Sequence, residues 1–386
     1  MQTYFADLHI HIGRTNTGRP VKITGSKSLT VANILYDAQH VKGMDMIGVI
    51  DSHVPEVLDE LEVMVDKGEL SELEQGGLSY GELTLILGSE IEVNDESTQG
   101  PIHVLCFMPT LQTMRIFSKW LGERITNNTL STQRLYESGK VLQQKVRELG
   151  GLFIPAHIFT PHKSLYGSGV KFSLAEVFDP DLIDAVELGL SSNTEMADSL
   201  KELHRYSFLT NSDAHSTQKI GREYQILQLE SPTFTELWLA LHNNHDRKVI
   251  KNFGLDPKLG KYHETACERC GHRSQATEEC SQCGSLHFVK GVRNRIDELT
   301  DGVINNNRPP YIHQIPLEFI PKLGPKTLQK LRDQFGTEMN IIHRISQREL
   351  EGVVSPKMAE MIIKARKGTL SLESGGAGKY GKVSSE

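Results

Sequence analysis

Short apolar runs alternate with helical spacings over about the first 250 residues. Seven runs have the length and the β-branched or aromatic content of strands: Phe5–Ile10, Met46–Ile50, Leu83–Leu87, Ile102–Met108, Leu152–Pro155, Ile183–Leu188 and Phe208–Thr210. Ser28 or Thr30 can cap a helix that runs to about Val41 and ends at Gly43. A second helix is predicted to start near Thr132, turn Leu135, Leu142, Val146 and Leu149 inward, and stop at Gly150 and Gly151. Strand–helix alternation on this scale predicts an α/β fold with a mostly parallel sheet, open or closed into a barrel. Residues 256–290 are shorter in pattern, polar and cysteine-bearing, and 311–368 returns to helical spacing with small turns. Ser374–Glu386, rich in Gly, Ser and Lys, reads as a flexible tail. The expected organisation is therefore 1–255, 256–310, 311–370 and a tail at 371–386.

Chemistry-bearing residues sit at the ends of those runs. The first ends in Asp7-Leu-His9-Ile-His11, the second in Asp51-Ser-His53, and the third runs into Glu90-Ile-Glu92. The fifth ends at His157, the sixth carries Glu187, and the seventh ends in Asp213-Ala-His215. In parallel α/β folds the carboxyl ends of the strands open on one face, where functional groups collect. Residues two apart on an extended segment point to the same side, so His9 pairs with His11, Asp51 with His53 and Asp213 with His215. A single His-x-His is a weak signal, but its recurrence at several strand ends points to a divalent-metal site. His103 opens its run instead of ending it. The Asn-Asp and Gly-Pro steps between Glu90 and His103 predict a hairpin, which returns His103 beside Glu90.

These residues, taken in order, resemble the motifs of the polymerase and histidinol phosphatase (PHP) superfamily: Asp-Leu-His-Ile-His, Asp-Ser-His, Gly-Ser-Glu, His103, Pro-Ala-His157 and Ser-Asp-Ala-His215. The resemblance spans about residues 1–250 and implies a distorted (β/α)7 barrel with a trinuclear site. Carried over, His9, His11, Glu90 and Asp213 hold one ion, and Glu90 bridges to a second bound by His103 and His157. His53 and His215 hold a third, with Asp51 as an extra ligand. Many members add a histidine after the first pair, where this chain has Thr15, Asn16 and Thr17. Two or three catalytic ions (Zn2+, Mn2+, Mg2+ or Fe2+) would acidify a bound water and neutralise phosphate oxygens, with Asp213, Glu90 and Glu187 as the catalytic carboxylates. Glu187 and Asn193 serve equally well as water-orienting groups or as structural hydrogen-bonding residues. Arg14, Lys22 and Lys27, in the loop after the first run, are candidate phosphate contacts, although a solvated loop would look the same. Phe159 and Tyr166, in the loop after His157, are candidate walls for an extruded base or simple loop packing.

Four of the five cysteines form two pairs, Cys267-Glu-Arg-Cys270-Gly and Cys280-Ser-Gln-Cys283-Gly. Four thiolates on two tight turns make a closed tetrahedral site for a structural Zn2+. Cys106, in an apolar run, reads as a core residue. Further on, Ile320-Pro-Lys-Leu-Gly324-Pro-Lys-Thr-Leu-Gln-Lys-Leu331 resembles a helix-hairpin-helix. There Gly324 permits a tight hairpin, and Lys322 and Lys326 flank amides that can face a phosphate. A weaker copy around Leu350–Ile362 carries Ser355 in place of the glycine and reads as a packing partner.

Charge sharpens this division. The chain carries a net −7, yet from residue 290 onward sixteen Lys and Arg face eleven Asp and Glu, leaving the body acidic and the tail basic. No apolar run is long enough to span a bilayer, and the N-terminus has no basic-then-apolar pattern, so a cytoplasmic protein is expected.

Barrel motifs, four-cysteine module, hairpin motif and a Gly-Gly-Ala-Gly-Lys-Tyr-Gly-Lys tail follow one another in an order that resembles the endonuclease Q family. The loop from Pro155 to Pro161 and the basic segment Lys290-Gly-Val-Arg293-Asn-Arg295 add to the likeness. The resemblance implies a DNA repair endonuclease that cuts 5′ to a deaminated base (hypoxanthine, uracil or xanthine) or an abasic site. Its expected partners are double- and single-stranded DNA containing lesions, with a replication clamp as a further candidate and a monomer as the working form. A PHP-type 3′–5′ exonuclease and a small-molecule phosphatase are the alternatives, the latter having no use for a DNA-binding tail.

Overall fold

The first strand, β1 (Gln2–Ile10), starts exposed and becomes fully buried from Ala6 onward. It runs parallel to β2 (Met46–Val49), which runs parallel to β3 (Leu83–Val93). A hairpin then reverses the chain into β4 (Ile102–Met108), with Glu92 opposite His103 in the register. β5 (Leu152–Pro155) lies antiparallel to β4, and β6 (Ala185–Glu187) runs parallel to β7 (Ser207–Leu209). Backbone bonds from Asp184 to Phe153 and from Ile158 to Glu187 join β5 to β6. The segment after β7 returns to β1, where Ala214 exchanges backbone hydrogen bonds with His9 and His11. The ring therefore closes. One buried apolar cluster draws Ala6, Leu8, Met46, Ile86, Leu105, Phe107, Leu152, Ile154, Ala185 and Leu209 from all seven strands, which is the packed interior of a barrel. The barrel is parallel except for β4.

This computed structural model describes residues 1–260, 262–273, 278–305 and 307–370, with the backbone of 372–373 and 382–383. The tail expected at 371–386 lies outside the described residues, apart from Leu372–Glu373 and Lys382–Val383, which pair antiparallel. Among the described residues no helix is long and apolar enough to cross a membrane.

A second apolar cluster surrounds the barrel, formed partly by α1 (Val31–Tyr36), α2 (Pro55–Asp66), α3 (Leu111–Gly122) and α4 (Gly139–Glu148). Thr30 caps α1, and the chain then widens into a π-turn over Asp37–Lys42 that ends at Gly43 with φ 81°. A side chain at 43 would be strained by that left-handed backbone and would meet Thr337 Oγ1 at 2.3 Å. α4 starts seven residues later than the spacing suggests. Ser138 caps it through the Val141 amide, while Leu135 belongs to a short strand paired with Val93 of β3. The apolar period continues smoothly from Leu135 to Leu142, so spacing alone cannot locate the break.

Two further strands extend the sheet beyond the seven: β8 (Tyr224–Leu229), antiparallel to β1, and β9 (Lys248–Gly254), antiparallel to β8. Between them α5 (Phe234–Leu241) packs Phe234, Leu237 and Ala240 into the interior cluster and stops the end of the barrel away from His9. β10 (Tyr311–His313) joins β9 in parallel, so the C-terminal part is threaded into the same sheet. Helix α6 (Val292–Leu299) precedes β10, and α7 (Pro325–Phe335), α8 (Glu338–His343), α9 (Gln347–Glu351) and α10 (Pro356–Arg366) follow it. His343 at the end of α8 stacks on Phe5 with ring centroids 4.9 Å apart and lies 2.6 Å from the Tyr224 hydroxyl. Lys42 and Glu338, 2.9 Å apart and buried, add an ion pair across the same contact.

Candidate active site

The carboxyl ends of the barrel strands converge on a cavity of about 280 Å3. His11, Lys22, Glu90, His103, His157, Asp213 and His215 line it, and His162, Leu190, Ser191 and Tyr262 form its outer wall. Two of the ligand-bearing residues sit on left-handed backbone, His157 at φ 31° and Asp213 at φ 46°. Both follow the end of a strand, where the chain must turn sharply across the barrel mouth.

Three histidine–carboxylate groups bring their ligand atoms close enough to share ions: His9 with His11 and Glu90, Glu90 with His103 and His157, and His11 with Asp213 and His215. His9 Nε2 lies 3.6 Å from Glu90 Oε1 and 3.5 Å from Asp213 Oδ1. His11 Nε2 lies 3.6 Å from both Glu90 Oε2 and Asp213 Oδ1. Two atoms bound about 2.1 Å from a common tetrahedral ion are separated by about 3.4 Å, so this spacing suits a shared divalent cation. Both Nε2 atoms are buried without a hydrogen-bond partner. Such an orphaned imidazole nitrogen is costly unless it binds an ion. The donor set fits divalent metal.

Carboxylates stand behind the same histidines. Glu187 lies 2.9 Å from His9 Nδ1 and also accepts from the His157 amide and the Asn211 side chain. Asp51 lies 3.1 Å from His11 Nδ1 and accepts from the Ile12 amide, while Glu92 lies 3.6 Å from His103 Nε2. A carboxylate on the far ring nitrogen fixes the tautomer and orientation of a ligating histidine. Burial alone would raise the Glu90 carboxyl, but His103, Lys22 and His157 reverse this and hold it well below the usual carboxylate range. Burial likewise opposes charge on Asp213 and on His9. His9, His11 and His215 hold Asp213 well below its ordinary value, and Glu187, Asp213 and Glu90 carry His9 up to about 10.

Several expected residues stand elsewhere. Asp51 and Glu187 lie behind histidines, each engaged by a ring nitrogen and backbone amides. His53 is fully buried and joins none of the three groups, and His215 meets His11 and Asp213 instead. Lys22 does not point outward. Its Nζ lies 3.2 Å from Glu90 Oε2 and 2.7 Å from Thr132 Oγ1, inside the site. Arg14 donates to the Gly18 carbonyl, while Lys27 is exposed. Asn193 accepts from the Met196 amide and its amide lies 3.1 Å from His313 Nε2. Phe159 and Tyr166 are 1% and 0% exposed and stack on each other at 5.2 Å, so they cannot wall a pocket. His162 and Tyr262, in edge contact at 5.6 Å, line the cavity instead. Spacing gave no signal for Thr132, which bonds Lys22 and Glu90, or for His162 and Tyr262, which line the cavity through loop geometry.

The four cysteines come within a single ligand cluster, with Cys267 3.6 Å from Cys283 and Cys270 3.5 Å from Cys280. Each pair ends in a left-handed glycine, Gly271 at φ 73° and Gly284 at φ 68°, and the glycine amide returns to the first cysteine of its pair. Ala266–Cys267 and Phe288–Val289 pair antiparallel beside the cluster. The basic helix that follows is partly consumed by structure: Arg295 of α6 donates to the carbonyls of Tyr166, Val170 and Lys171. In the hairpin motif the left-handed residue is Lys322, at φ 69°, whereas Gly324 has an ordinary φ of −76° and open space where a Cβ would stand. Gly324 therefore leaves the start of α7 uncovered, and Lys322 and Lys326 beside it are exposed. Ser355 caps α10, with Leu350, Ala359 and Ile362 buried beneath.

No family model matches the chain. It is 57% identical over 385 residues to the uncharacterized protein YqxK of Bacillus subtilis, across 99% of this chain and 100% of that one. The crystal structure of the lesion-specific endonuclease PfuEndoQ from Pyrococcus furiosus superposes with a TM-score of 0.85 at 31% identity, covering 99% of this chain and 95% of that one. A crystal structure of endonuclease Q in complex with a 27-mer duplex substrate, with an abasic lesion at the active site, gives 0.84 at 30% identity, covering 99% and 96%. With the barrel, the histidine–carboxylate face and the four-cysteine cluster on the same chain, this full-length likeness shows that the chain belongs to the endonuclease Q family.

Proposed function

We propose that this chain is a metal-dependent DNA repair endonuclease that hydrolyses the phosphodiester 5′ to a deaminated base or an abasic site. The observation that carries the reading is the cavity itself, in which three histidine–carboxylate groups share Glu90, His11 and one open mouth. The superposition on lesion-specific endonucleases over 99% of the chain supports the choice of substrate. In this reading His9, His11, Glu90 and Asp213 hold one divalent ion, Glu90 with His103 and His157 a second, and His215 a contact to a third. Bound there, such ions supply an acidified water and neutralise charge on the phosphate. Glu187, Asp51 and Glu92 orient the histidines, and Lys22 adds a positive charge beside the phosphate site. Cys267, Cys270, Cys280 and Cys283 hold a structural Zn2+.

The division of labour follows the chain. Residues 1–255 cut, 256–310 lend Tyr262 to the cavity wall, and 311–370 hold the DNA backbone through Gly324, Lys322 and Lys326. His162, Leu190 and Tyr262 surround the space an extruded base would enter. One chain supplies every ligand, which supports action as a monomer.

The test is incubation of end-labelled DNA, carrying a single uracil, hypoxanthine or abasic site, with the protein and Mg2+ or Mn2+. One nick on the 5′ side of the lesion, absent from undamaged DNA, is the expected product. A ladder shortening from the 3′ end would replace the reading with an exonuclease. Release of phosphate from small esters, with DNA untouched, would replace it with a phosphatase.

A further inference from the structure

The loop after β1 packs its apolar side chains inward with one exception. Ile12, Val21 and Leu29 are 0–1% exposed, whereas Ile23 is 76% exposed, the highest value for a large apolar side chain among the described residues. Ile23 does not sit on a loose segment. It follows Lys22 in a turn closed by the Gly25 amide on the Lys22 carbonyl. Lys22 is tied to the Ile12 carbonyl, Val21 to Gly13 and to the Ser131 amide, and Ser26 to the His215 carbonyl. At Gly13 the backbones press so close that a Cβ would meet the Ser26 oxygen at 1.9 Å. The turn is thus fastened to the first strand and to the histidine–carboxylate face, and it holds an isoleucine out to solvent.

Its position gives that exposure a use. The Lys22 side chain lines the cavity, with its ammonium 3.2 Å from Glu90. Ile23 is the next residue, so the cavity-lining lysine and the exposed isoleucine share one fastened turn. The same loop carries Arg14, exposed Lys27 and exposed Arg19, the last ion-paired with Glu56 at 3.4 Å, and the two other cations suit a phosphate backbone crossing it. Phe172 is also exposed, but the Lys171 ammonium lies 5.2 Å from its ring and neither chain neighbour lines the cavity.

We propose that Ile23 is a wedge, entering the base stack beside the nucleotide drawn into the cavity and keeping the vacated step from closing. The inference rests on the lesion-cutting reading above. Apolar side chains between base steps are a known way to hold a duplex unstacked, and the benefit exists only where a stack must be opened. Ile23 is therefore a positioning residue that acts through the substrate's conformation, and its contribution should vanish on single-stranded DNA.

The experiment measures the ratio of nicking rates on a uracil-bearing duplex and on the same uracil strand alone. For Ile23→Ala the ratio should fall on the order of tenfold, with the single-strand rate unchanged, and Ile23→Met should restore it. 2-Aminopurine placed next to the uracil should brighten when the wild type binds the duplex in the absence of divalent ions, and stay quenched with Ile23→Ala. An unchanged ratio, or equal losses on both substrates, overturns the wedge. A wild-type protein that nicks neither substrate would instead overturn the lesion-cutting reading.

Discussion

The four-cysteine cluster and the histidine–carboxylate face both gather metal-binding atoms, but by opposite means. The cysteines come from residues 267–283, and two glycine-terminated turns beside the Ala266–Cys267 and Phe288–Val289 pairing aim the thiols locally. The barrel face draws its histidines and carboxylates from His9 to His215, and carboxylates from other strands hold two of the histidines, Glu187 for His9 and Asp51 for His11, with Glu92 3.6 Å from His103. A local site depends on its own turns, whereas a dispersed site is only as accurate as the closure of the barrel. The two should therefore fail independently.

The largest expected effect is on chemistry alone. Asp213→Ala should lower lesion nicking on the order of a thousandfold or more while one equivalent of zinc stays bound to the cysteines. Nicking assays with elemental analysis read both quantities, and near-normal nicking would remove Asp213 from the reactive centre. Next comes the support behind a histidine. Glu187→Gln should weaken activating-metal affinity by about ten- to a hundredfold, with much of the rate recovered at high metal concentration. A loss that metal cannot rescue would mean Glu187 acts on the substrate directly.

Cys280→Ser should act from the other side. It should release the zinc while the metal affinity and the melting of the barrel stay unchanged, with nicking of lesion DNA slowed by no more than about tenfold. Coupled loss of both would show that the two sites are not independent. The smallest effect belongs to the hairpin. Lys322→Ala with Lys326→Ala should weaken duplex binding severalfold and reduce the salt slope by about one per lysine, equally for damaged and undamaged DNA. An unchanged slope would exclude phosphate contacts there.

The same contrast governs what could be read beforehand. The cysteine pairs are contiguous motifs, and the seven barrel strands show as short apolar runs, most of them leading into a histidine or carboxylate at the end. The return of His103 to Glu90 was also legible, because Asn-Asp and Gly-Pro force a hairpin. What stayed hidden depends on loops closing in space. Phe159 and Tyr166 look like surface aromatics in a polar loop, yet Arg295 of α6 ties that loop down and both rings are buried. Lys22 looks like a surface cation until its turn folds back over Glu90. Tyr262 lies a hundred residues from the histidine it contacts, His162 of the post-β5 loop, and nothing in its local pattern marks it. β8 and β9 escape the apolar pattern because polar Gln225, Gln228 and Asn252 interrupt their runs. Gln225 and Asn252 are in fact buried and bonded to barrel carbonyls.

The left-handed backbone at Asp213 and His157 bears on folding energy. A non-glycine residue held there costs on the order of 1–3 kcal/mol, and glycine would be relieved of most of it. Glycine at these two positions, both of which line the cavity, should therefore relieve backbone strain. An aspartate and a histidine therefore hold that backbone at a cost in folding energy, which a role at the cavity would offset.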